Sequence, residues 1–397
     1  MFVRYLLFFI TVCALAACSP KAPSPKSGNY HLLFFTENGD IPARLSISDT
    51  SGWYILNSDE AILLDSVVIR GDSFFVKLPL FDSSLKGKWR NDSLFGEWTD
   101  HSRTDYSIPF TGIQTTPITR EKIAEELNYE VVFSPSDSTE SSKGIAVLQK
   151  RGTEITGTIL TETGDYRYLQ GEIDNTKLWL SAFDGTHLFY LEGTLAGDSI
   201  TNGVFLSGKH WKENWIGAKS ITNTLRNPYS ITTLQVNTNP QFDVLNNSGE
   251  PVHFDSTTWK NHVTIVQIMG SWCPNCTDES RFLKELYDSH KNEGLQIIPI
   301  AFERGEDVSA ACKRVERQFN QLNIPYPFYY GGKSSKEEAQ KKLSFLTEVH
   351  SFPTTVFIDK SCVIRRVYTG FYGPGTHEEY EKHSYEIRDF VRGLLSN

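Results

Sequence analysis

The chain contains 397 residues, carries a formal net charge of −9 at pH 7 and is 39% hydrophobic. This length allows two or three domains with their own cores, while the acidic balance argues against a nucleic-acid-binding protein, which needs a basic patch. Six of the eight tryptophans lie before residue 226. Because aromatic side chains favour pleated, half-buried surfaces, the first half is predicted to be β-rich.

The N-terminus has the features of an export signal. Arg4 precedes an apolar run over 6–17, which is too short to cross a bilayer as a helix. The sequence LAAC, ending at Cys18, resembles a bacterial lipobox, in which cleavage precedes the cysteine and its thiol is acylated. The alternative is an ordinary signal cut at an A-x-A site. We predict a signal peptide over 1–17, lipidation of Cys18 and a Pro/Ser/Lys-rich tether over 18–28.

This anchor predicts a location for the mature protein. A lipid on Cys18 would hold the chain to a membrane of the cell envelope without spanning it. No later run of about 18 apolar residues offers a transmembrane helix. The domains are therefore expected to face the periplasm, an oxidising compartment in which neighbouring cysteines form disulfides unless a reductant is supplied.

Residues 29–221 are predicted to form an all-β region. Short apolar runs alternate with turn-forming dipeptides such as NG, GD and ND, which is typical of antiparallel meanders. The segments 74–98 and 178–205 resemble each other, so one interpretation is two related halves, 29–112 and 129–221. The other is the general likeness of all β-meanders.

Residues 29–221 contain two further features, a helical pattern and four histidines. The segment 118–127 is the one stretch between the halves with a helical pattern. The four histidines of the region stand without the spacing of metal ligands: His31, His101, His187 and His210. Ordinary surface or core histidines are the better interpretation, and no metal site is predicted.

Residues 239–397, after a polar linker over 222–238, are predicted to form an α/β domain. The predicted strands are 263–270, 295–302, 354–359 and 362–370, and the predicted helices are 276–294, 309–323, 335–349 and 377–395. Continuous apolar runs in the first two strands indicate burial on both faces. The predicted fold is a central mixed sheet with helices on both faces.

A C-x-x-C motif, Cys273 to Cys276, joins the end of a predicted buried strand to the start of a helix. A helix N-terminus offers unpaired N–H groups and partial positive charge, which favour a thiolate. Pro274 suits the first helical turn, where a missing N–H costs nothing. Zinc needs further ligands, which the isolated Cys312 and Cys362 do not supply. A structural staple would close too small a loop to stabilise the fold, so thiol exchange remains.

The residues around this motif carry a resemblance. The stretches VQIMGSWCPNCTDE and SFPTTVFIDK, with the strand–helix order over 240–397, resemble the thioredoxin superfamily and, more narrowly, its TlpA/ResA-like membrane-anchored thiol-disulfide oxidoreductases. The resemblance implies a redox-active disulfide in which Cys273 attacks and Cys276 resolves. It also implies a cis Pro353, and a substrate-binding surface formed by Trp272, Pro274, Phe352 and Pro353.

Glu279 is a further candidate for the catalytic site. Many thioredoxins carry a buried aspartate at the position of Gln267, which cannot ionise. The TlpA/ResA-like group instead uses a glutamate three residues after the second cysteine, where Glu279 stands and shares a helix face with Cys276. We predict a partly desolvated Glu279 with a raised pKa that exchanges a proton with Cys276. The alternative is a solvent-facing carboxylate. Asp278 is expected to complement the helix dipole only.

The predicted function is an envelope thiol-disulfide oxidoreductase that acts as a reductant, although the Pro-Asn dipeptide between the cysteines does not fix the direction of electron flow. Its partners would be protein thiols or disulfides and a membrane electron donor. No cofactor is predicted, because the dithiol itself carries two electrons. Two alternatives remain: a peroxiredoxin-like thiol peroxidase, and a binding lipoprotein in which the β-region acts and the redox domain is subsidiary. Cys312 and Cys362 are expected to be free and buried, with a disulfide between them as the alternative.

Overall fold

The computed structural model of the chain describes residues 25–116, 125–219, 224–236 and 239–396. The predicted signal peptide and the candidate lipidation site Cys18 lie outside these residues. Within the described ranges, none of the helices combines the length and the apolar composition that crossing a membrane requires.

The first sheet contains nine antiparallel strands. They are β1 Gly28–Thr36, β2 Gly39–Ser48, β3 Gly52–Asn57, β4 Glu60–Leu64, β5 Ser66–Arg70, β6 Ser73–Lys77, β7 Ser83–Arg90, β8 Ser93–Asp100 and β9 Ser107–Thr115. Their spatial order is β4-β3-β2-β1-β9-β8-β7-β6-β5. Along β1, Tyr30, Leu32 and Phe34 are buried and alternate with more exposed residues. This period of two lets one face of the sheet form a core.

The second sheet closes into a barrel, called here the barrel domain (residues 125–219). Its strands are β10 Glu125–Phe133, β11 Ser142–Arg151, β12 Glu154–Thr161, β13 Gly164–Asp165, β14 Leu169–Asp174, β15 Lys177–Phe183, β16 Leu188–Ala196, β17 Ser199–Ser207 and β18 Trp211–Lys219. Strand β10 pairs with both β11 and β18, and β12 pairs with both β11 and β14. These pairings complete the ring and leave no long free edge.

The two β-sheets share their connectivity and part of a core. In each, the last strand pairs with the first, β9 with β1 and β18 with β10. The segments 74–98 and 178–205 occupy matching places, β6–β8 and β15–β17. Phe183 of the barrel domain packs against Phe34 and Trp98 of the first sheet, with ring centroids 5.0 and 5.2 Å apart. The shared core fixes the two sheets against each other.

The prediction of a helical segment over 118–127 is wrong for residues 125–127, the part of it that the structure describes. Residues 117–124 lie outside the described ranges, and 125–127 begin strand β10. Leu127 and Tyr129 are both buried in the barrel core, whereas the residues between and before them are not. The spacing of two between these apolar residues suits a strand, and tertiary packing overrides the helix-forming glutamates.

The C-terminal domain has the predicted fold, a mixed sheet covered by helices on both faces. Its elements are β19 Phe242–Leu245, β20 Pro251–Phe254, α1 Ser256–Trp259, β21 Val263–Met269, α2 Pro274–His290, β22 Leu295–Glu303, α3 Val308–Leu322, β23 Tyr329–Lys333, α4 Lys336–Lys342, β24 Thr354–Ile358, β25 Ile364–Thr369 and α5 Glu378–Ser396. The strand order is β20-β19-β23-β22-β21-β24-β25. Strands β21, β22 and β23 run parallel, whereas β24 and β25 are antiparallel to their neighbours.

Alternate side chains of the central strand β21 reach the two helical layers. Ile265 belongs to a core cluster with Phe282 of α2, together with residues of α3 and α5. Val266, on the opposite face, belongs to a cluster with Trp259 of α1 and Ala339 of α4. All seven residues of β21 are buried, which explains why the strand is apolar apart from Thr264 and Gln267.

The helix predicted over 335–349 is too long, and the hairpin β19–β20 and strand β23 were not predicted. Helix α4 ends at Lys342. Beyond it, Phe345, Leu346 and Val349 are buried in turns, and Leu346 forms an isolated bridge with Leu234. Their spacing looks helical in the sequence, but the irregular turn buries the same side chains against the sheet.

Candidate functional site: the cysteine pair at the start of helix α2

Cys273 and Cys276 form a disulfide at the N-terminus of α2, with their Cα atoms 5.2 Å apart. Cys273 is the N-cap residue, and its Sγ accepts a hydrogen bond from the backbone N–H of Cys276 at 3.2 Å. Pro274 occupies the first helical turn. Cys273 is 5% exposed and Cys276 is 0% exposed. An incoming sulfur therefore reaches Cys273 first, and the helix terminus stabilises that sulfur as a thiolate once the bond is reduced.

The loop before β24 faces the disulfide. The peptide bond between Phe352 and Pro353 is cis, and the carbonyl oxygen of Phe352 lies 3.5 Å from Cys273 Sγ. Trp272 meets Phe352 edge-to-face with ring centroids 5.6 Å apart, and its indole N–H donates to the carbonyl of Phe302 at 2.9 Å. The structure thus brings the four residues of the expected substrate-binding surface together beside the disulfide.

Glu279 lies one turn beyond Cys276 and is 2% exposed, so the alternative of a solvent-facing carboxylate is wrong. Its Oε1 accepts a hydrogen bond from Thr355 Oγ1 at 2.5 Å, and its Oε2 accepts one from Gln267 Nε2 at 2.9 Å. Burial raises the pKa of Glu279 to about 7, against the lowering effect of these two hydrogen bonds. The carboxyl group is therefore able to take up or release a proton near neutral pH.

The sheet register explains how Gln267 and Thr355 meet Glu279. They are directly opposed partners on β21 and β24, so both side chains leave the same face of the sheet, towards α2. Gln267 Nε2 also lies 3.3 Å from the carbonyl oxygen of Cys276 and donates towards it. Gln267, where many thioredoxins carry an acid, thus links the backbone of the buried cysteine to the carboxylate.

Comparisons with known proteins agree with this geometry. Residues 235–383 match the family model described as Redoxin. The C-terminal domain is a redoxin domain. It is similar to the ResA thiol-disulfide oxidoreductases, as the resemblance of its motifs predicted.

Two curated relatives and one solved structure illustrate the likeness. The thiol-disulfide oxidoreductase ResA of Geobacillus kaustophilus is 24% identical over 124 residues, which is 31% of this chain and 62% of the relative. ResA of Bacillus thuringiensis is 25% identical over 148 residues, 37% of this chain and 75% of the relative. A thiol:disulfide interchange protein of Chlorobium tepidum is 19% identical with a TM-score of 0.30, covering 44% of this chain and 99% of that structure. The alignment with the first relative thus spans less than two thirds of its length.

The barrel domain contacts the C-x-x-C motif of the redoxin domain, which sequence reasoning did not foresee. Asn275 Nδ2 lies 3.2 Å from the carbonyl oxygen of Asp165, the same distance from Asp165 Oδ2, and 3.1 Å from the carbonyl of Phe371. On the other side of the motif, Thr186 Oγ1 donates to the carbonyl of Trp272 at 3.3 Å. The barrel domain therefore contacts the backbone or side chains on both sides of Cys273.

The expectation that Asp278 only complements the helix dipole is wrong. Asp278 is 4% exposed and forms an ion pair with Arg167 of the barrel domain. Arg167 also pairs with Glu60 of the first sheet at 2.5 Å and lies 3.8 Å from Asp184. Burial alone would lower the pKa of Arg167, but these carboxylates raise it overall. No sequence pattern links Arg167 to an aspartate 111 positions away, because the contact depends on domain packing.

Of the described cysteines outside the motif, Cys312 and Cys362 are both free. Cys312 is buried, as expected, and burial raises the pKa of its thiol. The expectation of burial is wrong for Cys362, which is partly exposed. Strand β25 begins only at Ile364, so Cys362 lies in the preceding turn, with a φ of 67°. In the ranges that the structure describes, no cluster of His, Cys, Asp or Glu is arranged to hold a metal ion.

Proposed function

We propose that this chain is an envelope thiol-disulfide oxidoreductase that reduces protein disulfides through Cys273 and Cys276. The observation that carries the proposal is the disulfide itself, placed at a helix N-terminus with Cys273 5% exposed and Cys276 0% exposed. The likeness to curated ResA proteins supports the activity. The anchor at Cys18 and the periplasmic location are supported by the N-terminal sequence alone.

The mechanism follows from the geometry. In the reduced protein, the Cys273 thiolate attacks one sulfur of a substrate disulfide, which breaks that bond, forms a mixed disulfide and releases one substrate thiolate. Cys276 then loses its proton to Glu279 and attacks Cys273 Sγ, which expels the second substrate thiolate and forms the disulfide seen in the structure. The substrate gains two electrons and two protons, one proton by way of Glu279 and the other from the solvent, since Cys273 starts as a thiolate. A dithiol of a membrane electron donor returns them to the protein.

Glu279 is the proposed proton acceptor because its environment suits both protonation states. Its pKa of about 7 is close to neutral pH, at which transfer in either direction is efficient. The carboxylate form is hydrogen-bonded by Thr355 and Gln267, so ionisation does not leave an unpaired buried charge. Positions 276 and 279 are three residues apart in helix α2 and therefore lie on the same face of the helix. The carboxyl group of Glu279 is thus on the same side of the helix as the resolving thiol of Cys276.

Replacing Cys273 by serine is expected to abolish disulfide reduction. The reduced full-length chain should reduce the disulfides of insulin in the presence of dithiothreitol, measured as precipitation of the freed B chain. The variant should not exceed the rate with dithiothreitol alone, since Cys276 is inaccessible. Cys362→Ser, which removes a partly exposed thiol outside the motif, is the matched control and should retain the full rate. Equal rates for Cys273→Ser and the wild type would refute the proposal.

The geometry does not favour a peroxidase. A peroxidatic cysteine needs an arginine at its sulfur. Arg167 of the barrel domain is instead directed at the carbonyl of Pro274 and at carboxylates, and Arg304 of the redoxin domain lies over the ring of Trp272. The barrel domain contacts the residues on both sides of Cys273. A separate binding function, as in the alternative of a binding lipoprotein, is therefore not required to explain why the chain contains this domain.

A further inference from the structure

A cleft of about 280 Å³ lies over the Cys273 sulfur, between the barrel domain and the redoxin domain. Its volume is slightly below the range of about 300–1,000 Å³ usual for small-molecule sites. The cleft therefore takes one or two side chains of an extended segment and excludes a flat folded surface. The barrel domain causes this size limit, because it forms the wall of the cleft opposite the redoxin domain.

The two walls of the cleft are aromatic. The barrel-domain wall includes the rings of Tyr166, His187 and Phe189 beside Thr161, Thr163, Gly164 and Asp165. The rings of Tyr166 and Phe189 lie 5.3 Å apart, and His187 stacks on Phe189 at 4.3 Å. The redoxin wall includes the rings of Trp272 and Phe352, with Lys336 and Ser351 also lining the cleft. All five aromatic side chains are partly exposed, although Cys273 beneath them is buried. Such walls offer an aromatic side chain favourable stacking and burial.

Hydrogen bonds and ion pairs hold the walls at this separation. Asn275 joins Asp165, Thr186 joins Trp272, and Arg167 joins Asp278 across the domain boundary. Because these contacts lie on both sides of Cys273, the cleft is preformed and a substrate does not have to order it. Preorganisation of this kind lowers the entropic cost of binding.

One feature favours a peptide as the occupant. Phe352 precedes β24 and belongs to no strand ladder, and within the described ranges its peptide groups make no backbone–backbone hydrogen bond. Its carbonyl oxygen faces Cys273 Sγ at 3.5 Å. An extended peptide can satisfy these groups by strand-like pairing while its cysteine meets Cys273. A small disulfide lacks the backbone to do so.

We propose that the barrel-domain wall is a specificity-determining surface, which selects extended cysteine-bearing peptide segments with an aromatic side chain next to the cysteine. This inference rests on the proposed function and adds the class of substrate. The aromatic side chain enters between Phe189 and Trp272 while the peptide sulfur reaches Cys273. Burial of an aromatic ring accelerates the reaction by about tenfold or more over glycine at the same position.

The test uses the reduced full-length chain and two short peptides, each with its cysteine sulfur bonded to a thiopyridyl group. One peptide has phenylalanine after the cysteine and the other has glycine. Attack of Cys273 on the peptide sulfur forms the mixed disulfide and breaks the bond to the thiopyridyl sulfur, which leaves as thiopyridone because it is the better leaving group. Thiopyridone absorbance gives the second-order rate constant for each peptide.

The phenylalanine peptide should react about tenfold faster than the glycine peptide, and Phe189→Ala should reduce that ratio to below about threefold. Phe189 packs partly on the barrel core, so Phe189→Leu, which keeps an apolar contact but lacks the ring, should give the same loss. Phe95→Ala, which removes a 49% exposed ring from the first sheet, is the matched control and should keep the wild-type ratio.

Three results would overturn the inference: equal rates for the two peptides, a ratio unchanged in both Phe189 variants, or the thiopyridyl disulfide of cysteamine, which has the same leaving group but no peptide, reacting faster than either peptide. Failure of the reduced wild type to react with any of these disulfides would instead overturn the proposed function, and the inference with it. Equal rates with an active protein leave the function intact, so the two failures are distinguishable.

Discussion

Replacing Arg167 by methionine is expected to lower the free energy of unfolding by about 3–5 kcal/mol, the usual cost of leaving buried charges without their partner. Its guanidinium holds together Glu60 of the first sheet, Asp184 of the barrel domain and Asp278 of the redoxin domain. Methionine fills a similar space but offers no positive charge. The loss is measured by urea unfolding of the full chain, with hydrogen exchange around 163–167 to detect separation of the domains.

The destabilisation should depend on pH. Burial already raises the pKa of Asp165 to about 6 and raises the pKa of Glu60, although Arg167 lowers the pKa of both. Without Arg167, the pKa of each carboxyl group rises further. A raised folded-state pKa gives stability that is present below the unfolded-state pKa and lost as pH rises. The deficit of the variant should therefore be smallest near pH 4 and largest above pH 7.

Arg281→Met is the matched control for this prediction. Arg281 pairs with the same carboxylate, Asp278, at 2.7 Å, but its side chain is 43% exposed. Solvent screens such a pair, so its loss should cost less than about 1 kcal/mol. If Arg167→Met cost no more than Arg281→Met, the buried cluster would not be what joins the domains.

Replacing Glu279 by glutamine is expected to change the pH dependence of both stability and exchange. In the wild type, the folded carboxyl group has a pKa of about 7 and the unfolded one a pKa near its ordinary value of 4.5. The folded state keeps its proton through this interval, so the free energy of unfolding should fall as pH rises from about 4.5 to 7 and stay level above it. Since each pKa unit is worth about 1.4 kcal/mol, the fall is about 3.5 kcal/mol at most.

Glutamine does not titrate, so the variant should lack this fall and should be the more stable protein above pH 7. It should also lose the step near pH 7 in the rate at which Cys276 resolves a mixed disulfide at Cys273. Glu285→Gln, on the same helix but 62% exposed at its side chain, should leave both profiles unchanged. An unaltered pH–rate profile in Glu279→Gln would remove Glu279 from the mechanism.

The redoxin domain could be predicted from the sequence because its signals are local. Each signal predicts the secondary structure of the segment that contains it: the apolar residues predict strand β21, and the proline after Cys273 and the helical spacing predict helix α2. The candidacy of Glu279 came from the resemblance to the TlpA/ResA-like group, and its helical spacing from Cys276 placed it on the same face as the thiol. The predicted length of helix α4 was wrong because the buried residues of the irregular turn after Lys342 are spaced in the sequence as they would be in a helix.

The contacts between the domains could not be predicted, because they join residues remote in the sequence. Phe183 resembles any strand phenylalanine, yet it packs into the core of the other sheet. Arg167 and Asp278 look like solvated charges, the usual state of such residues, and only the packing of three parts of the chain buries them together. The same packing makes the barrel domain one wall of the redox cleft, which local patterns do not contain.

The most direct test of the account is to trap the mixed disulfide. Reduced Cys276→Ser protein, incubated with a disulfide-bearing protein, should form an adduct whose peptide map links the partner to Cys273, because the thiol that would resolve the adduct is missing. The double variant Cys273→Ser/Cys276→Ser should form none. Adducts that persist in the double variant, or a Cys273→Ser variant that traps more partner through Cys276, would contradict the assignment of Cys273 as the attacking thiol and Cys276 as the resolving one.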